Sequence, residues 1–184
     1  MIHNLTVIRP GDANEVKEAW IAAMQNQTGP TALLLTRQGL PTLDRSVYPS
    51  ASGLHQGAYT LWQSGEGSPD ILLIATGSEV ELALNAAEKL AEEAVNVRVV
   101  SMPSCELFEQ QDGAYQESVL PDACDLRVAI EAGTSFGWER YVGRKGAMIC
   151  KDDFGASGPY TVLLEKFGFT VERVVDAAHN LLKG

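Results

Sequence analysis

The sequence predicts an α/β protein whose second half is a compact domain of about five strands. Two observations carry that prediction. Short apolar runs alternate along the chain with amphipathic helical stretches. The best-marked segment, DILLIA followed by TGSEVELALNAAEKLAEE and VRVV, reads as strand, helix and strand, a unit whose two strands run parallel.

The first strand is expected at residues 5–8. Asp12 is a candidate N-cap with Glu15 three residues on, a capping-box spacing, and Val16, Ala19, Trp20 and Ala23 share one helical face. Gly29-Pro30 ends this unit and residues 31–35 form a second buried strand. From 38 to 57 periodicity gives way to Pro, Ser and Gly, the composition of a linker. An edge strand at 57–62 precedes a stronger one at 71–75. Ser78 and Glu81 form a second capping box, and Val80, Leu82, Leu84, Ala87 and Leu90 supply the buried side of the helix they open. Strand 97–100, a helical region at 108–120, strand 126–130, a helix around 138–142, strand 147–150 and a helix near 160–167 follow. Thr170 caps the last helix, where Val171, Val174, Val175, Ala178 and Leu182 fit a 3.6-residue period. The first 40 residues look like the end of something larger, because a lone strand-helix-strand cannot bury its apolar faces.

The 184 residues are 45% hydrophobic and 21% charged, as in an ordinary globular protein. A net charge of −10 argues against nucleic acid or an anionic membrane as the main partner. Cys105, Cys124 and Cys150 are scattered, without a CxxC pair or Cys/His cluster, and suit reduced thiols in a cytoplasmic protein. No signal peptide is visible at the N-terminus, and no apolar stretch reaches the length of a membrane span.

Arg37, at the end of the strand TALLLTRQ, is the leading candidate for a site. Open parallel sheets place their ligand crevices at strand C-termini, and a guanidinium there can hold a phosphate bidentately, with Gln38 as a further donor. A structural ion pair is the alternative. The loop ATGSEV is a second candidate, with Gly77 and Ser78 offering backbone N–H groups to an anion unless the helix cap uses them itself. Glu131 ends a strand as a lone carboxylate, either an acid or base or a hydrogen-bonded structural group. His3, His55 and His179 lie far apart and suggest no triad or metal cluster. Phe136, Trp138, Tyr141 and Phe154 form either a binding surface or core packing. No nucleotide fingerprint or P-loop is present, and Gly11-Asp12 and Asp112-Gly113 lack the context of a metal-diphosphate motif.

Several stretches together, in order and across almost the whole chain, resemble transketolase. They are RPGDANE (9–15), GPTALLLTRQGLP (29–41), IATGSEVELAL (74–84), VRVVSMPS (97–104), QDGAYQESVLP (111–121), EAGTSFGWERYVG (131–143) and FGASGPYTVLLEKFGFT (154–170). The RQGLP and FGASGP stretches favour transketolase over the related 1-deoxyxylulose 5-phosphate synthases and 2-oxoacid dehydrogenase β-subunits. The resemblance implies a mixed, mainly parallel five-stranded sheet with flanking helices, preceded by a strand-helix-strand remnant of a pyrimidine-binding domain. It divides the chain into the end of that domain at 1–40, a linker at 41–57 and a C-terminal domain at 58–184.

Transketolases transfer a two-carbon ketol unit between sugar phosphates, using thiamine diphosphate and a divalent metal, Mg or Ca. By the match, Arg37 corresponds to the family arginine that contacts the substrate phosphate. The metal-diphosphate motif, the glutamate that activates the pyrimidine ring and the substrate-contacting histidines have no counterpart in this sequence. No cofactor is therefore expected in this chain, and no ketol transfer by it alone. Expected partners are sugar phosphates in the full enzyme, a second copy in a homodimer, or the missing N-terminal domains. A dimerisation module and a regulatory anion-binding domain at Gly77-Ser78 are the alternatives.

Overall fold

The longest apolar run becomes the centre of a sheet covered on both faces. In a computed structural model, which describes residues 3–184, all five residues of β4 (Ile71–Ala75) are buried. Five strands order as β3-β5-β4-β6-β7, with β3 (Tyr59–Gln63), β5 (Val97–Ser101), β6 (Arg127–Glu131) and β7 (Ala147–Cys150). All neighbours are parallel except β3, an edge strand antiparallel to β5 with a register shift between Thr60 and Trp62. The expected mixed, mainly parallel five-stranded sheet is therefore present. Burial on both faces explains the unbroken apolar sequence of β4, where a half-exposed strand would alternate.

One face carries α2 (Glu79–Glu92) and α7 (Val171–Lys183), packed over Leu73, Val99, Val128 and Ile130. The other carries α3 (Cys105–Glu109), α4 (Gly113–Val119) and α5 (Glu139–Val142) around Leu72, Ile74, Val100 and Ala129. Thr170 Oγ1 caps α7 by accepting from Arg173 N–H at 3.2 Å, and Val174 and Ala178 are fully buried in it. α6 (Tyr160–Phe167) buries no residue completely.

Ahead of this sheet, β1 (Thr6–Ile8) and β2 (Thr31–Leu33) form a two-stranded parallel sheet joined by α1 (Ala13–Gln25). Trp20, Met24, Leu34 and Leu35 are 54%, 77%, 49% and 51% exposed, as expected of a strand-helix-strand with no further sheet beside it.

Local detail departs from the sequence reading at five places. The buried strand expected at 31–35 stops at Leu33 and is only half-buried, because no further strand lies beside it among the described residues, and Leu34 and Leu35 are exposed. The helical region expected at 108–120 is two helices, because Asp112 takes an extended conformation and caps α4 by accepting from Tyr115 N–H at 2.8 Å. Ser78 and Glu81 form no capping box. Ser78 is already helical, and its Oγ donates to Glu79 Oε1 at 2.6 Å instead of accepting from the backbone. Trp20 leaves the buried face of α1, which instead packs Ala19 and Ala22 with Ile8 and Leu54. Leu54 belongs to a 3₁₀ turn (Ala51–Gln56) within the stretch read as linker, so that segment is anchored to α1.

Ile74→Ala should destabilise the protein by about 2–5 kcal/mol, because a fully buried side chain on a central strand leaves a cavity. Leu35→Ala should stay within about 0.5 kcal/mol. Urea denaturation of the two variants checks the contrast.

Candidate functional site at the junction of the two sheets

After Ile8 the chain runs through Arg9, Pro10 and Gly11 across the C-terminal edge of the larger sheet. Arg9 N–H donates to the Pro103 carbonyl at 2.8 Å, and the Arg9 carbonyl accepts from Gly77 N–H at 3.0 Å and Thr76 Oγ1 at 3.1 Å. Gly77 has φ +59°, which favours glycine, and a Cβ there would lie 2.9 Å from Arg9 Cζ and push the guanidinium from its place.

These bonds set the Arg9 guanidinium between the ends of β4 and β6. Its Nη1 lies 2.7 Å from Glu79 Oε2, 2.7 Å from Glu131 Oε1 and 3.3 Å from the Thr76 carbonyl. Glu79 is further held by Ser78 Oγ at 2.6 Å and Ala132 N–H at 3.0 Å. Burial pushes the Glu131 carboxyl up to about 7. Arg9 opposes that shift and the Glu79 charge adds to it.

A second polar cluster lies beside the first. Glu15 is 1% exposed. Its Oε1 accepts from Tyr59 OH at 2.6 Å and Ser101 Oγ at 2.7 Å, and its Oε2 from Gly11 N–H at 2.7 Å. Burial raises the Glu15 carboxyl above its ordinary value against the pull of these hydrogen bonds. Asp12 caps α1 by accepting from Glu15 N–H at 2.8 Å, and also holds Arg45 at 2.9 Å and Leu43 N–H at 3.0 Å. The expected Asp12–Glu15 capping pair is thus built, with Gly11 N–H in place of the Asp12 N–H as the second donor.

Arg37 stands apart from both clusters. It follows β2 at a bend, is exposed, and makes no hydrogen bond or ion pair among the described residues. Gln38 is its neighbour, and the Gln38 carbonyl accepts from Thr36 Oγ1 at 3.3 Å. At the Gly77-Ser78 loop the Gly77 N–H is engaged by Arg9, the Ser78 hydroxyl by Glu79, and two carboxylates face the turn. The His55 and His179 rings pair separately with Glu18 and Glu93, at 2.9 and 2.8 Å. Among the described residues no three His, Cys, Asp or Glu side chains converge as metal ligands do. The aromatic set divides: Trp138 and Tyr141 are buried with ring centroids 5.8 Å apart, whereas Phe136 and Phe154 are exposed. No described helix is long and apolar enough to cross a membrane.

Arg9, Tyr59, Glu79 and Ser101 are the residues that sequence reasoning missed. Glu15 was legible as a capping residue, but its partners Tyr59 and Ser101 are 44 and 86 positions away, and no local pattern signals them.

Residues 57–170 match the family profile described as the transketolase-like C-terminal domain, and residues 1–42 match the transketolase pyrimidine-binding domain. The chain belongs to the transketolase family. It is 50% identical over 175 residues to the transketolase of Aquifex aeolicus, covering 95% of this chain and 25% of that protein. The transketolase structure from Leishmania mexicana superposes with a TM-score of 0.88 at 42% identity, over 98% of this chain and 25% of that one. The Pichia stipitis transketolase in complex with sedoheptulose-7-phosphate superposes with a TM-score of 0.88 at 35% identity, again over 98% of this chain and 25% of that one. The chain thus spans about a quarter of the length of the transketolases it matches.

Tyr59→Phe removes one of the three donors to the buried Glu15 and should cost roughly 1–3 kcal/mol. Tyr160→Phe, at an exposed position, should cost less than about 0.5 kcal/mol. Equal urea midpoints for the two variants would show that the Tyr59–Glu15 bond contributes nothing.

Proposed function

We propose that this chain serves as the C-terminal part of a transketolase, supplying Arg37 as the cation that holds a sugar-phosphate substrate. The observation that carries the reading is the placement of Arg37. It follows the C-terminal end of a parallel strand, exposed and with its guanidinium uncommitted among the described residues. A phosphate dianion needs such a group, and guanidinium binds it bidentately. The RPGDANE and LTRQGLP stretches that bracket this unit lie within the pyrimidine-domain match.

On this reading, residues 1–40 are the end of a pyrimidine-binding domain, 41–57 the linker and 58–184 the C-terminal domain. Thiamine diphosphate with its divalent ion supplies the ketol-transfer chemistry in the full enzyme. The residues of this chain do not fit that group: no acidic or histidine cluster converges to hold its metal among the described residues. No catalytic step is therefore assigned to them, and ketol transfer by this chain alone is not expected. The apolar side chains of Trp20, Met24, Leu34 and Leu35 then face the remainder of the enzyme or a second copy.

The test is transfer from xylulose 5-phosphate to ribose 5-phosphate, with thiamine diphosphate and magnesium supplied. The purified chain should give no turnover above blank, and adding the N-terminal portion of a transketolase should restore it. In the restored enzyme Arg37→Ala should lower kcat/KM for phosphorylated acceptors about 10- to 100-fold, the loss of one charge-assisted contact, and leave unphosphorylated acceptors unaffected. Turnover by the chain alone, or equal losses for both acceptor types, would overturn the reading.

A further inference from the structure

Open α/β sheets take ligands outside the carboxyl ends of their strands, where the strand order reverses. In this sheet the reversal lies between β4 and β6, because the chain proceeds from β4 to β5 on one side and later to β6 on the other. No small molecule is needed to fill that crevice. The Arg9 side chain enters it from the neighbouring strand-helix-strand unit and meets Glu79, at the start of α2, and Glu131, at the end of β6.

The charge count there does not balance. One guanidinium serves two carboxylates whose side chains are 1% and 14% exposed, leaving a net negative charge out of water. The hydrogen count does not balance either. Arg9 Nη1 carries two hydrogens and faces three acceptors, Glu79 Oε2, Glu131 Oε1 and the Thr76 carbonyl. Glu79 has two other donors, Ser78 Oγ and Ala132 N–H, whereas Arg9 is the only side-chain partner of Glu131 among the described residues.

We propose that Arg9 is a latch between the two units and that closing it takes up one proton on the carboxylate pair, held by Glu131. The proton removes the surplus charge and leaves Nη1 with as many strong acceptors as it has hydrogens. Arg9 then pairs with one ionised carboxylate, and the junction is tighter at mildly acidic pH than above neutrality.

The surroundings supply nothing that would neutralise Glu131 otherwise. Cys105 from α3 and Cys150 from β7 face it, and burial pushes both thiols up to about 11, so they stay uncharged across neutral pH. Lys151, the next residue along, places its Nζ 4.9 Å from the centroid of the Phe167 ring and 4.0 Å from Asp153. Asp152 accepts from Ser135 N–H, and its charge, with that of Glu139 from α5, is felt at Cys150.

The sign follows from linkage. Glu131 is raised from 4.5 to about 7 when the latch is closed and returns toward 4.5 when the junction opens. Its contribution is therefore fully present below pH 4.5, declines as pH rises through that window, and is lost above about 7. Glu15 is raised by burial as well and adds a slope of the same sign, so the test must isolate Glu131.

Urea denaturation of wild type and Glu131→Gln between pH 5 and pH 8.5 does so, because glutamine copies the protonated acid and all other groups are shared. The variant's midpoint should lie close to that of wild type at pH 5, and its advantage should grow with pH until at pH 8 it denatures at clearly higher urea. A difference between them that does not change with pH, or a variant less stable than wild type at pH 8, would overturn the proposal. Should the variant fail to fold, ¹³C NMR titration of the Glu131 carboxyl in the wild-type chain decides instead. A midpoint near 7 supports the latch and one near 4.5 excludes it.

Discussion

The relative placement of the two sheets depends on the buried carboxylate of Glu15. An ionised carboxylate removed from water costs several kcal/mol unless hydrogen bonds replace its hydration. Three donors do so here, and they come from separate parts of the chain: Gly11 from the turn before α1, Tyr59 from β3 and Ser101 from β5. Only one placement of α1 against the β3–β5 edge brings all three together. Any sliding of one unit past the other would leave buried polar atoms unpaired, so the contact sets geometry more sharply than apolar packing would.

Much else follows from that constraint. With α1 fixed, Asp12 reaches Arg45 and Leu43, which ties the segment between the units to the helix start. The same placement brings Arg9 to the strand ends and lets its backbone bond to Pro103 and Gly77. β2 then lies away from the larger sheet, with Arg37 just beyond its end and open to solvent. The unit that presents the substrate-binding candidate is thus held by a polar contact to the unit that fills most of the core.

The legibility of the sequence tracks how local each signal is. α6 and β7 begin and end where their apolar patterns place them, and Thr170 caps α7 because a cap and the N–H it accepts from lie three residues apart. The Ser78–Glu81 cap failed for a non-local reason: the adjacent Glu79 is drawn into the junction by Arg9, and Ser78 turns to support it. Trp20 was misplaced because periodicity shows that a helix is amphipathic without showing how much sheet lies beneath it. Arg9 carried no signal of its role, since Glu131 is 122 positions away. Arg37 was marked by its strand-end position, but its link to a phosphate came from the family resemblance, because an exposed guanidinium has no internal partner to reveal its purpose.

The central claim is that the polar junction makes the two units one cooperative structure. Native-state hydrogen exchange at the two backbone bonds that cross it, from Arg9 N–H to Pro103 and from Gly77 N–H to Arg9, tests this most directly. The account predicts that these amides exchange only through global unfolding, with the same free energy and denaturant dependence as Ile74 and Ala129 in the core. Exchange at the junction through a low-energy local opening, while the core amides remain protected, would contradict it.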